Sequence, residues 1–390
     1  MSKEYVNKII GKTFMDIAKG LETGDFGGKV KVGLTTLGSE HGVENLVRGA
    51  ESLRGEVEVV LIGPKAETDL EQFECNTEAE VQSKLEELLD SGYISSCVTM
   101  HYSFPIGIST VGRVITPGKG KEMFLATTTG TSSPHRTEAM VINAISGIAT
   151  AKAMGIARPK VGILNLDGAR QVERILTQLG ENGYDINFSQ SQRADGGVVM
   201  RGNDLLVGTP DVMVMDTLTG NVMMKVFSSY STGGDYEALG YGYGPGVGKE
   251  MKRIVLILSR ASGTPVVANA IRYGASLAKG RLIDVAHAEF AAAEKAGLKA
   301  LLEAATKTVK TEATSEEVAP PAKEVVTGQI AGVDIMDLED AVKALWKAGI
   351  YAESGMGCTG PIVMVHESKV PQAEKALGAA GYLAVSKSDC

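Results

Sequence analysis

In the stretch DVMVMDTLTGNVMMK, residues 211–225, an apolar strand is followed by a glycine turn and then by a helix. A helix that begins in this way offers free N–H groups and the positive end of its dipole to an anion. Asn221 and Lys225 are four residues apart and therefore share one face of this helix. They are candidate phosphate ligands, although an ordinary strand–helix turn explains the pattern equally well.

The same alternation of strand and helix continues on both sides of this stretch. It predicts a mainly parallel sheet that is covered by helices on both faces. In such sheets, ligands gather beyond the carboxyl ends of the strands. The predicted strands cover residues 29–34, 57–62, 95–100, 122–127, 161–165, 185–188 and 212–216. The predicted helices cover residues 43–53, 77–91, 134–154, 168–181 and 284–308, with an amphipathic helix at 3–22 ahead of the sheet.

A second polar stretch, TTTGTSSPHR at residues 127–136, stands where a helix begins. Its hydroxyls make it another candidate phosphate site, although a capping turn, whose hydroxyls bind local backbone groups, explains it as well. The candidate ligands are Thr128, Thr129, Thr131 and Ser132. The glycine-rich stretch GYGYGPGVG (240–248) lacks the G-K-[ST] of a Walker loop, so we expect a lid or a surface loop there.

The last part of the chain is predicted to be a separate small domain. Residues 309–324 contain two adjacent prolines and interspersed charge but no aromatic residue, which is typical of a flexible linker. Strands at 325–331, 361–366 and 382–385 and helices at 336–348 and 370–380 then predict a small α+β domain. The predicted organisation is therefore an N-terminal helix (1–28), a core (29–308), the linker (309–324) and the small domain (325–390).

One cysteine of this small domain has a distinctive setting. Cys358 lies in GMGCTGP (355–361), on the turn that enters the strand at 361–366. The backbone N–H groups of Gly357, Thr359 and Gly360 are able to curl around one point, which would stabilise a thiolate and later the oxyanion of an attacked thioester. A buried turn cysteine is the alternative. Cys97 is predicted to be a small core residue, and Cys75 and Cys390 have no evident role.

Composition excludes several classes of protein. The net charge of −8 and the isoelectric point near 5.4 argue against nucleic-acid binding. No apolar run approaches the roughly 20 residues of a membrane span. The four scattered cysteines favour the reducing cytoplasm over a disulfide framework. The five histidines form no recognisable ligand pattern, so we expect neither a metal nor a cofactor.

Three stretches in order resemble the phosphate acyltransferases of phospholipid synthesis, the PlsX family. They are residues 31–64, 159–170 and 201–225, the last ending in G-N-V-x-x-K. In this chain TTLGSEHG (35–42) replaces the family's acidic glycine-rich opening. The resemblance implies an α/β/α sandwich, like that of phosphate acetyltransferases, which joins an acyl group to inorganic phosphate.

Together with the N-terminal helix, the linker and the GMGCTGP module, the chain resembles the alpha subunits of component C of the glycine/sarcosine/betaine reductase complex. That resemblance implies release of acetyl phosphate from an acetyl thioester, with inorganic phosphate as substrate and with the family's active cysteine at Cys358. It implies a ketoacyl-synthase-like beta subunit and the selenoprotein A component as partners, and we expect a homodimer of the core within the complex. Two alternatives are a stand-alone phosphate acyltransferase that acts on acyl carrier protein and a non-catalytic scaffold for the beta subunit.

Overall fold

The computed structural model describes residues 11, 14–15, 18, 21, 30–193, 196–307, 318–331, 333, 338–357 and 360–383. Most of the predicted N-terminal helix lies outside these residues, and its described members are helical and exposed. Cys358, Thr359 and Cys390 also lie outside the described residues, as do residues 309–317 of the predicted linker.

The described strands belong to two separate sheets. The large sheet contains β1 (Lys31–Thr35), β2 (Glu58–Gly63), β3 (Glu71–Glu74), β4 (Ser96–Thr99), β5 (Ile108–Ile115), β6 (Glu122–Thr131), β7 (Lys160–Leu164), β8 (Asn187–Phe188), β9 (Val199–Met200), β10 (Val212–Val214), β11 (Gly244–Val247) and β12 (Val255–Ile257). The small sheet contains β13 (Gly328–Ala331), β14 (Ala352–Gly357) and β15 (Gly360–Val365).

Helices cover the sheets as the alternating pattern predicts. They are α1 (Gly42–Glu51), α2 (Glu78–Asp90), α3 (Arg136–Ala153), α4 (Ala169–Glu181), α5 (Gly202–Val207), α6 (Thr217–Ser229), α7 (Thr264–Lys279), α8 (Leu282–Lys295), α9 (Leu298–Lys307), α10 (Leu338–Lys347) and α11 (Val370–Ala379). None of the described helices is long and apolar enough to cross a membrane.

The large sheet joins two parallel halves through an antiparallel centre. Its order is β3-β2-β1-β4-β12-β11-β5-β6-β10-β7-β8, with β9 beside β7. The neighbours from β3 to β12 are parallel, as are those from β6 to β8, whereas β11 and β5 run antiparallel to their neighbours. The carboxyl ends of β4 and β12 are in register at Thr99 and Ile257, whereas β10 ends at Val214 beside Ala126 in the middle of β6, which continues to Thr131. The mixed α/β fold is therefore confirmed.

Helix α3 lies against the sheet along most of its length, because its small residues allow a close approach. A β-carbon on Gly147 would come within 2.4 Å of Val212. Met140, Ala144 and Ile148 are at most 1% exposed and belong to the main hydrophobic core. This helix fixes the position of the polar stretch that precedes it.

The prediction of a loop or lid at residues 240–248 is wrong, because the centre of this stretch is the buried strand β11. Glycines are required there by close packing rather than by mobility. A β-carbon on Gly244 would lie 1.8 Å from the carbonyl oxygen of Val111, and one on Gly246 would lie 2.3 Å from the Phe104 ring. The strand therefore contains only one of the β-branched residues from which a strand is usually predicted, Val247.

Other boundaries also differ from the prediction. The single helix predicted at 284–308 is two helices, α8 and α9, separated by Gly297, which has a φ of 91°. Strands β3, β5, β9, β12 and β14 and helices α5 and α7 were not predicted. Tyr382 and Leu383 are not in a strand, and the rest of the strand predicted at 382–385 lies outside the described residues.

The small sheet has its own hydrophobic core. It is antiparallel in the order β13-β15-β14, and α10 and α11 pack against it through Ala341, Leu345 and Leu377. The Trp346 indole N–H donates to the carbonyl oxygen of Ala352 at 2.9 Å. Ile106, which precedes β5 in the large domain, packs against this small core and thereby connects the two domains.

Candidate functional site

A cavity of about 210 Å³ lies where the two halves of the large sheet meet. Its lining comes from residues at or near the carboxyl ends of β4, β6 and β12 and from α6, which is where ligands of parallel sheets are expected. The small domain contributes one side chain to it. The lining residues are Glu40, Met100, His101, Tyr102, Thr129, Asn221, Lys225, Tyr243, Ile257, Leu258, Ser259, Arg260 and Met356.

The helix that carries two of these residues is held tightly against β6. Asp216 is its N-cap, and the carboxylate accepts a hydrogen bond from the N–H of Thr219 at 2.8 Å. A β-carbon on Gly220 would lie 1.7 Å from the carbonyl oxygen of Thr127, so only glycine permits this approach. The next residue, Asn221, is thereby brought against Thr128 in the second half of β6, with Lys225 one turn further on.

Asn221 and Thr129 present polar groups that are only partly used within the protein. The Asn221 amide donates one N–H to the carbonyl oxygen of Thr128 at 3.1 Å, which leaves its second N–H available. The N–H of Thr129 donates to the Thr110 hydroxyl at 2.9 Å. The Thr129 hydroxyl itself makes no hydrogen bond with the part of the chain that the structure describes.

The ammonium group of Lys225 is held by two partners. It donates to the carboxylate of Glu237 at 2.6 Å and to the hydroxyl of Ser259 at 2.7 Å. The Lys225 side chain is 46% exposed, whereas the Glu237 side chain is 1% exposed. A protonated lysine has three donor hydrogens, so one remains for a ligand.

The other predicted phosphate ligands do not line this cavity. The Thr128 hydroxyl donates to the carbonyl oxygen of Tyr243 at 2.7 Å, and that of Ser132 donates to Asn143 Oδ1 at 2.6 Å. Thr131 is buried, and its hydroxyl has no partner among the described residues. The phosphate-binding role of these three residues stays a prediction. Arg136, at the start of α3, is paired with Asp216 at 2.5 Å.

Ser259 and Arg260 are cavity residues that the sequence did not reveal. They follow β12, and the guanidinium of the exposed Arg260 makes no ion pair with any described residue. Glu40, at the same opening, donates its N–H to the carbonyl oxygen of Arg260 at 2.9 Å. The stretch SRASG (259–263) matches no motif in the sequence, so only its position at the end of a parallel strand identifies it.

His101 and Tyr102 follow β4 on the other side of the cavity. Burial and the neighbouring Glu86 carboxylate raise the pKa of the Tyr102 hydroxyl to about 12. The hydroxyl donates to Glu86 at 2.9 Å and accepts from Arg253 at 3.3 Å. Tyr102 therefore stays neutral at physiological pH and closes the cavity without adding charge.

The hairpin formed by β14 and β15 brings the small domain to the cavity. Met356, near its tip, is the lining residue from that domain. Gly357 is paired with Gly360 across the antiparallel strands. Cys358 and Thr359 stand between these two glycines in the sequence and lie outside the described residues, so their predicted roles stay predictions.

The two described cysteines are not suited to nucleophilic chemistry. Cys97 is fully buried in β4, as predicted for a small core residue, and burial raises the pKa of its thiol. Cys75 is also buried, and burial raises the pKa of its thiol too. Across the described ranges there is no group of three or more His, Cys, Asp or Glu residues that would hold a metal ion.

The lining of the cavity contains groups that are suited to binding a small anion. Lys225 and Arg260 supply positive charge, and Asn221, Thr129 and Ser259 supply neutral polar groups. The groups of Asn221 and Ser259 are directed by their other hydrogen bonds. Oxyanions such as phosphate are bound in proteins by this combination of charged and neutral donors.

Comparisons with known proteins identify a matching family and a relative that is similar over nearly its whole length. The family model described as "Fatty acid synthesis protein" matches residues 30–364. "Glycine/sarcosine/betaine reductase complex component C subunit alpha" of Peptoclostridium acidaminophilum is 66% identical over 382 residues, which cover 97% of this chain and 99% of that protein.

More distant relatives have related names. A "Phosphate acyltransferase" of Thermotoga petrophila is 27% identical over 233 residues, which cover 50% of this chain and 67% of that protein. The crystal structure of a branched-chain phosphotransacylase from Enterococcus faecalis V583 matches with a TM-score of 0.48 and 16% identity, covering 64% of this chain and 99% of that one.

Proposed function

The chain belongs to the fatty acid synthesis protein family, among the alpha subunits of component C, and from this premise we propose that it transfers an acetyl group from a thioester on Cys358 to inorganic phosphate. The relatives named phosphate acyltransferase support acyl transfer to phosphate as the class of reaction. The observation that carries the proposal is that Met356, two residues before Cys358, lines the same cavity as Asn221 and Lys225.

Inorganic phosphate would be bound at the carboxyl ends of the strands. Lys225 and Arg260 would offset its charge, while the free N–H of Asn221 and the Thr129 hydroxyl would donate to its oxygens. The predicted ligands Thr128, Thr131 and Ser132 would act behind these residues by fixing the last part of β6. No metal or cofactor takes part in this proposal.

The transfer step is a displacement at the thioester carbonyl. A phosphate oxygen forms a bond to the carbonyl carbon, and the carbon–sulfur bond then breaks. Acetyl phosphate leaves, and the proton of the attacking hydrogen phosphate passes to the Cys358 sulfur, which regenerates the thiol. The N–H groups of the turn formed by Gly357, Thr359 and Gly360 would stabilise the tetrahedral oxyanion. Holding phosphate beside the thioester replaces a bimolecular encounter by an oriented reaction, which accelerates transfer strongly.

The size of the cavity favours a short acyl group. Pockets for drug-sized ligands usually have volumes of roughly 300–1,000 Å³. The volume of about 210 Å³ found here accommodates phosphate and an acetyl group more readily than a long acyl chain. This favours acetyl transfer over the alternative of long-chain transfer from acyl carrier protein.

The proposal also assigns partners to the chain. The name of the Peptoclostridium relative describes a subunit of a reductase complex. We propose that a ketoacyl-synthase-like beta subunit receives or forms the acetyl thioester downstream of the selenoprotein A component. The core of the alpha subunit would form a homodimer within this cytoplasmic assembly.

The decisive variant is Cys358→Ser in the reconstituted complex. Acetyl phosphate formation should fall to background while the thermal melting curve stays unchanged, because a seryl ester cannot replace the thioester as an efficient donor. Cys75→Ala, a change remote from the cavity, serves as the matched control and should retain activity. Retained activity of Cys358→Ser would remove the cysteine from the mechanism.

The two alternatives are separated by assays on the isolated chain. Arsenate replaces phosphate and gives an unstable acyl arsenate, so a transferase should break down acetyl phosphate when arsenate is present. A non-catalytic scaffold should show no such breakdown. A stand-alone enzyme of the acyl carrier protein type should instead prefer long-chain acyl carrier protein and acyl phosphates over acetyl phosphate.

A further inference from the structure

Glu237 is a buried carboxylate next to the cavity that the proposed reaction does not use. It lies in the segment between α6 and β11, and its side chain is 1% exposed. Its backbone is tied to the loop after β12, because its N–H donates to the carbonyl oxygen of Ala261 at 3.0 Å and its carbonyl oxygen accepts from Gly263 at 2.8 Å. The backbone of Glu237 is therefore fixed relative to the loop that carries Ser259 and Arg260.

Both carboxylate oxygens of Glu237 are occupied. One accepts from the Lys225 ammonium at 2.6 Å, and the other accepts from the Ser262 hydroxyl at 2.8 Å. Burying a charge is costly unless it is paired and hydrogen-bonded, and this carboxylate is both. The group is consequently fixed, and it fixes the ammonium in turn.

The same network determines the direction of the Ser259 hydroxyl. Its oxygen accepts from the Lys225 ammonium at 2.7 Å and from the N–H of Ala261 at 3.2 Å. A serine hydroxyl has two acceptor positions and one hydrogen to donate. Since both acceptor positions are taken, the hydrogen of Ser259 is left as a donor, and Ser259 lines the cavity.

We propose that Glu237 is a positioning residue that holds the Lys225 ammonium back from the phosphate and thereby directs one lysine N–H and the Ser259 hydroxyl towards it. This inference rests on the proposed function. Without this restraint, the Lys225 ammonium would form a direct ion pair with the phosphate. The phosphate would then be bound more tightly, and its oxygens would be less reactive as nucleophiles. Glu237 therefore favours turnover at the expense of affinity.

The test is Glu237→Gln, which keeps the shape and removes the charge. We expect the dissociation constant of inorganic phosphate, measured by calorimetry on the full chain, to stay equal or to fall. We expect kcat for arsenate-dependent breakdown of acetyl phosphate to fall about ten-fold. A loss of folding alone would weaken phosphate binding and lower kcat together. A fall in kcat without weaker phosphate binding therefore identifies a positioning role.

A matched control is available in the main core. Glu289 also bridges a lysine and a hydroxyl, accepting from Lys152 at 2.6 Å and from Tyr184 at 3.0 Å, but neither of these partners lines the cavity. Glu289→Gln should lower the melting temperature without changing kcat or phosphate affinity. In a Lys225→Met background, adding Glu237→Gln should lower kcat no further than about two-fold, because its effect acts through the ammonium.

The outcomes separate this inference from the proposed function. If the unaltered chain does not break down acetyl phosphate, the proposed function fails, and the calorimetric measurement still tests Glu237. If the unaltered chain is active and Glu237→Gln has unchanged kcat, or loses affinity in parallel with activity, the positioning role is wrong. If Glu237→Gln does not fold, Glu237→Asp takes its place. The shorter side chain keeps the negative charge but no longer reaches Lys225, so we expect the same fall in kcat without loss of phosphate affinity.

Discussion

At the residue scale, the cavity combines side chains that the sequence identified with others that it did not. Asn221 and Lys225 were found because one helix face carries both, and Thr129 because it stands in a run of hydroxyls at a strand end. Ser259 and Arg260 come from the far half of the sheet, and nothing in their local pattern indicates a ligand. Only the sheet order, which places β12 beside β4, brings them to the site.

Arg260 gives a prediction at this scale. Its guanidinium has no ion-pair partner among the described residues, so its charge remains available to phosphate. Arg260→Gln should raise KM for phosphate about ten-fold, which corresponds to about 1.4 kcal/mol of binding. Steady-state kinetics at varied phosphate concentration measures this, and Arg170→Gln, which breaks an exposed pair with Glu173 outside the cavity, is the control. An unchanged KM would exclude Arg260 from the phosphate site.

At the element scale, the sequence predicted the strand–helix alternation well because parallel strands buried on both faces are continuous apolar runs. It failed at β11, where close backbone packing requires glycines that look like a loop in the sequence. It also merged α8 and α9, since the helical spacing of apolar residues continues across Gly297. The α6 helix was predicted, but its contact with β6 through Gly220 requires the structure.

The second prediction concerns this contact and the effect of replacing Gly220. Gly220→Ala would place a carbon 1.7 Å from the carbonyl oxygen of Thr127, so α6 must shift and carry Asn221 and Lys225 with it. We expect kcat/KM for phosphate to fall by at least ten-fold and the melting temperature to decrease. Gly378→Ala in α11 is the control, because a β-carbon there has open space and alanine stabilises a helix by roughly 0.5–1 kcal/mol over glycine. Equal activity of the two variants would show that the contact does not position the site.

At the scale of the whole molecule, the hairpin of the small domain reaches the cavity at Met356, and Ile106 of the large domain packs against the small core. The sequence predicted both a core and a cysteine-bearing module but gave no information about where the module lies. In the proposed function, the acetyl group is carried between two sites, and it is transferred to phosphate at the cavity, where Met356 of the hairpin lies. The other site would be on the partner subunit, which the predicted linker at 309–324 would allow the small domain to reach.

Shortening that linker is the third prediction. A deletion of about ten residues within 309–324 should slow acetyl phosphate formation by the complex, because the small domain would no longer reach both sites. Phosphate affinity of the chain should remain unchanged, since the cavity residues of the large domain are intact. Replacing the same residues by a Gly/Ser segment of equal length is the control and should restore turnover. Equal turnover after the deletion would show that the domain does not need to move.

The central claim is that Cys358 carries the acetyl group, and direct detection of the thioester tests it. The chain is incubated with acetyl phosphate, quenched in acid and digested, and each cysteine peptide is examined by mass spectrometry. We predict one acetyl group on the Cys358 peptide, removable by hydroxylamine and by phosphate, and none on the buried Cys75 and Cys97. Arsenate-dependent consumption of acetyl phosphate with no acetyl group ever found on Cys358 would contradict the account.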